Sequence, residues 1–92
     1  MEPAVDLKRE VLLYFRQDNV PIDLYRLMKK KYGIEKPEVQ EVFLSLKALG
    51  YITRTNAHGT VGATFCVTKT GRDLVEYEYG ITLPHPRAIG VR

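Results

Sequence analysis

Leu46-Lys47-Ala48-Leu49-Gly50-Tyr51-Ile52-Thr53-Arg54 is the stretch that decides the fold. A helical pattern runs into it and stops at Gly50, and Tyr51 to Thr55 follows at once as a strand rich in aromatic and β-branched residues. Upstream, Val39, Val42, Phe43, Leu46 and Leu49 recur at helical spacing, so they form one predicted buried stripe on a helix opened by Pro37. Downstream, Asn56-Ala57-His58-Gly59 is a turn cluster, and Thr60 to Thr68 reads as a second strand. In that strand Phe65 and Val67 alternate with Thr64, Cys66 and Thr68, which predicts one buried face. Thr68 or Thr70 caps a last helix containing Leu74, Val75, Tyr77 and Tyr79, ended by Gly80.

Two further helices precede this unit. Leu7, Val11, Leu12, Tyr14 and Phe15 mark a first helix reaching about Gln17. Val20-Pro21-Ile22 reads as a short extended piece, and Asp23 as the cap of a second helix. Leu24, Leu27, Met28 and Lys31 share a face of that helix, and Tyr32-Gly33 closes it with Gly33 in the left-handed conformation. Residues beyond Ile81, through Leu83-Pro84-His85-Pro86-Arg87, have no period. Their default reading is an unstructured terminus, with a minor-groove arm or an exchanged strand as alternatives. The expected layout is one domain over residues 1–80 and a tail over 81–92.

Helices joined through Gly33-Ile34-Glu35 suit a helix-turn-helix, and the hairpin beyond makes it winged. The segment from Leu46 to Arg54 resembles the exit from the recognition helix in the winged helix-turn-helix DNA-binding superfamily, especially small MarR- and PadR-type regulators. Phe65-Cys66-Val67-Thr68-Lys69-Thr70-Gly71-Arg72 resembles the same family's exit from its wing. The resemblance covers residues 7 to about 79. It implies an α+β fold: a three-helix core, a wing of two or three strands and a C-terminal helix. It also implies double-stranded DNA as partner, with the third helix in a major groove and the wing on the phosphate backbone.

On that reading Lys36, Glu38, Gln40, Glu41 and Ser45 lie nearest the bases. Gln can pair bidentately with adenine, and Glu can accept from cytosine. Arg26, Lys29, Lys30, Lys36 and Arg54 would hold phosphates, with Asn56 and His58 at the wing tip. Leu44 on the exposed face is unusual for a groove, and Glu38 and Glu41 also complement a helix N-terminus. Leu13, Tyr14, Tyr77 and Tyr79 exceed what one small core needs, which suggests a homodimer contact between terminal helices. A protein-interaction module is the alternative, favoured by Glu38, Glu41 and Leu44.

Composition bounds the remaining possibilities. The 92 residues hold 14 basic and 11 acidic side chains, a net charge of +3, with 45% hydrophobic positions. Residues 24–54 carry seven basic and three acidic groups, whereas residues 2–23 carry three basic and five acidic. Positive charge thus gathers on the helix-turn-helix half, as a polyanion partner requires. Cys66 cannot close an internal disulfide, and one Cys with His58 and His85 does not make a zinc site. The longest apolar run, Val11 to Phe15, is too short for a bilayer, and the first residues lack the pattern of a signal peptide. No phosphate loop, metalloprotease motif or nucleophile elbow is present. The expectation is a cytoplasmic, non-enzymatic chain with no cofactor and no membrane partner.

Overall fold

The computed structural model describes residues 5–55 and 63–83, and within them the chain is α+β. Its elements are α1 (Leu7–Tyr14), α2 (Pro21–Tyr32), α3 (Lys36–Ala48), β1 (Ile52–Thr55), β2 (Thr64–Val67) and α4 (Lys69–Tyr79). The strands are antiparallel, with Ile52 opposite Val67 and Arg54 opposite Phe65. This order and topology are compatible with a winged-helix fold.

Local chemistry accounts for the helix ends. Asp6 accepts the Arg9 N–H at 3.1 Å and so satisfies a free donor at the start of α1. α1 ends at Tyr14 rather than near Gln17, because Phe15 leaves helical geometry to reach the sheet. Pro21 opens α2 directly, with Val20 as cap and Asp23 inside the first turn, so neither the extended piece nor the Asp23 cap forms. Proline is suited to that first position, since its φ is preset and its missing N–H would have no helical partner. Gly33 takes φ 71°, and its N–H donates to the Lys29 carbonyl at 2.9 Å.

The core is aromatic at its centre. Phe15 from the end of α1, Phe43 from α3 and Phe65 from β2 meet with ring centroids 5.0–6.4 Å apart. Burial stabilises by about 1.5–3 kcal/mol per large side chain, and ring geometry adds roughly 0.5–1.5 kcal/mol per pair. The exposed Lys29–Glu35 and Lys69–Asp73 pairs each contribute about 0–1 kcal/mol. The Phe cluster, not surface charge, therefore fixes how α3 sits.

Several expected burial patterns change. All of Thr64, Phe65, Cys66 and Val67 are buried, and the backbone of β2 is paired along both edges. β1 lies on one side, and on the other Asn19 and Phe65 exchange backbone bonds of 3.1 and 2.9 Å. Val67 N–H also donates to the Phe15 carbonyl at 2.8 Å. The stripe of α2 is Leu24, Tyr25 and Met28, leaving Leu27 exposed. On α3 the buried set is Val39, Phe43 and Leu46, while Leu49 at the C-cap is 66% exposed where the chain turns away. Leu83, expected in the tail, is buried in the core beside half-buried Ile81. The turn at 56–62, the start of the second strand, and residues 84–92 lie outside the described residues.

The two sequence phrases of the resemblance are bonded to each other. Thr68 donates its hydroxyl to the Gly50 carbonyl at 2.7 Å and accepts the Gly71 N–H at 3.1 Å. Its own N–H donates to the Tyr51 carbonyl at 2.9 Å. A Cβ at Gly71 would collide with that same carbonyl oxygen and lie 2.7 Å from Val67 Cγ1. Gly71→Ala would ordinarily favour a helix by about 1 kcal/mol, but overpacking costs about 1–3 kcal/mol and outweighs it. Urea unfolding of Gly71→Ala is therefore expected to show lower stability than the parent; equal or higher stability would contradict this packing.

Candidate nucleic-acid interface

The polar surface of α3 follows from its helical phase. With Val39, Phe43 and Leu46 buried, the outward positions include Pro37, Glu41, Leu44 and Ala48. At about 100° per residue, Lys36, Gln40 and Lys47 fall on one flank, and Glu38 and Ser45 on the other. All of these are exposed. The five residues expected to face bases are therefore not one set: Gln40 and Glu38 lie roughly 160° apart around the axis. One edge of α3 presents amide and cations, the other carboxylate and hydroxyl.

Cations gather at the N-terminal end of the amide edge. A shallow groove of about 280 Å³ lies between α2 and the start of α3, lined by Ile22, Tyr25, Arg26, Lys29, Glu35 and Lys36. Lys36 Nζ sits 5.4 Å from the centre of the Tyr25 ring, which anchors its stem while leaving the residue exposed. Burial pushes the Tyr25 hydroxyl above its ordinary range, so it stays a neutral phenol beside the ammonium. Lys29 pairs with Glu35, and Arg26 lies 4.0 Å from Asp23. Both pairs are exposed, so the cations exchange partners at small cost. Lys30 is exposed on the next turn of α2.

The hairpin brings a cation to the opposite end. Arg54 is exposed on β1, directly across from Phe65, and cross-strand partners share a sheet face. Lys47 Nζ stands 5.3 Å from the Phe65 ring centre and 5.9 Å from that of Phe43. Lys47 was not among the residues expected to contact DNA. Its position on the same flank as Lys36, about three turns later, was legible in the spacing. Asn56 and His58 lie outside the described residues.

The residues expected at a dimer contact separate. Tyr14 is half-buried, edge-on to Phe15 at 5.1 Å, and donates its hydroxyl to the Val20 carbonyl at 3.4 Å. Burial first, and then the Asp23 carboxylate, raise its pKa. Leu13 and Tyr79 also pack partly against the core, whereas Tyr77 is 89% exposed on α4. Lys8 and Glu78 join α1 to α4 at 2.7 Å, and this bond holds the Lys8 ammonium above its usual pKa.

No family model matches this chain, and neither curated proteins nor solved structures provide a match. Among the described residues, no three His, Cys, Asp or Glu side chains are grouped to hold a metal ion, and no helix is long and apolar enough to cross a membrane. Cys66 is buried in β2, and burial together with the nearby Asp18 carboxylate pushes its thiol pKa up. That direction disfavours the nucleophilic thiolate. A maleimide or iodoacetamide probe is expected to label Cys66 slowly in the native protein at neutral pH and rapidly once urea unfolds it. Rapid native labelling would contradict the buried, neutral thiol.

Proposed function

We propose that this chain is a winged helix-turn-helix domain that binds double-stranded DNA as a homodimer and serves as a small transcriptional regulator in the cytoplasm. α3 enters the major groove, and the hairpin lies along the backbone. The observation that carries this reading is the amide edge of α3: Gln40 stands exposed on the flank that begins at Lys36, which shares a groove with Arg26 and Lys29 of α2. Gln can bond both adenine N6 and N7, and the neighbouring cations suit phosphates on the groove wall. Two-fold symmetry would place half-sites about one helical turn apart. The exposed side chain of Leu44 beside Glu41 favours a second reading, a protein-interaction module.

Selection of bound duplexes from a random pool, followed by affinity measurement against salt, separates the two. About five phosphate contacts give a log–log slope of roughly −4 to −5. A flat response, or no duplex binding at low salt, supports the protein partner instead. Gln40→Ala is expected to relax preference at one base position, at a cost of about 1–3 kcal/mol there, and Arg54→Ala to weaken all sequences alike. Uniform weakening by Gln40→Ala would show that Gln40 does not read a base.

A further inference from the structure

The cations on α3 stand at its two ends, and the space between them is filled by Gln40 and Leu44. Lys36, Gln40, Leu44 and Lys47 fall within roughly 80° of one another around the helix axis. All four are exposed, with Leu44 46% accessible. Lys36 and Lys47 are separated along the axis by roughly 16 Å, at about 1.5 Å per residue. A B-form major groove is about 12 Å wide, so side chains at both ends reach opposite walls.

At the far end Lys47 does not stand alone. Its ammonium lies over the Phe65 ring, and Arg54 occupies the position opposite Phe65 in the hairpin register, so Phe65 relates the two cations to one place in the fold. Lys47 is thereby held where α3 meets the hairpin, its ammonium over the Phe43 and Phe65 rings, and Arg54 shares a sheet face with Phe65. In the middle, a Gln followed one turn later by a Leu offers an amide and then methyl groups. Adenine presents N6 and N7, and thymine presents its methyl, in that same groove.

Resting on the duplex-DNA reading, we propose that α3 crosses the major groove on the single edge Lys36–Gln40–Leu44–Lys47. Lys47 and Arg54 seat a phosphate on the wall opposite the Lys36 cluster, and Gln40 with Leu44 covers an A·T step. The carboxylate edge, Glu38 with Ser45, faces away from the bases. This gives Leu44 a purpose that a generic groove contact does not, and it adds Lys47 to the binding surface.

The test uses the full chain and the duplex recovered by selection. Lys47→Gln is expected to make the salt slope shallower by about one unit, while Lys47→Arg keeps the parent slope. Replacing thymines of the selected site by deoxyuridine, which removes the methyl alone, is expected to weaken the parent severalfold and leave Leu44→Ala unaffected. Urea unfolding midpoints show whether each variant is folded at the assay temperature. Duplex binding with a slope unmoved by Lys47→Gln, or with no response to deoxyuridine, overturns this inference while leaving the DNA reading intact. Absence of duplex binding by the folded parent overturns both.

Discussion

The hydroxyl of Thr68 holds the two halves of this chain in register. It donates to the carbonyl of Gly50, where α3 has just ended, and accepts the N–H of Gly71, where α4 is starting. One side chain thus satisfies a carbonyl at one helix end and a donor at another, groups that a helix cannot satisfy internally. The Tyr51 carbonyl closes the same junction by accepting the Thr68 N–H, and Gly71 allows the backbones to approach. With the strands' two roots fixed, the hairpin can leave α3 in one direction.

That direction matters because it aims Phe65 at Phe43 and Phe15. The cluster settles the rotation of α3 about its axis, and rotation alone decides which edge carries Gln40 and which carries Glu38. A turn of about 100°, one residue of helical phase, would put the Glu41 carboxylate where the Gln40 amide stands. The electrostatic character of the surface is therefore a consequence of aromatic packing in the interior. Exposed ion pairs such as Arg26–Asp23 and Lys29–Glu35 trim this field without setting it.

The sequence is legible where local chemistry governs. The stop at Gly50, the left-handed Gly33, the Thr68 cap and the hairpin all follow from short-range stereochemistry. Sequence and structure part where distant segments compete. β2 is buried throughout and has a second paired edge in the Asn19–Phe65 bridge, neither of which period-two alternation encodes. Val20 rather than Asp23 caps α2 because Pro21 suits the first helical position, and Leu83 is buried although its segment has no periodic signal. For the candidate site, exposure of α3's polar residues was legible, but their division into two edges needed the buried stripe to be located. The exposure of Lys47 is legible in the helical spacing, but its place over the Phe65 ring is not, because that ring comes from another element.

Backbone amide chemical shifts during titration with a selected duplex, at low salt, address the central claim most directly. The account predicts that the changes concentrate on α3 from Lys36 to Lys47, with further changes at the start of α2 and at Arg54. Shifts confined to α1 and α4, or none at saturating duplex, would contradict it.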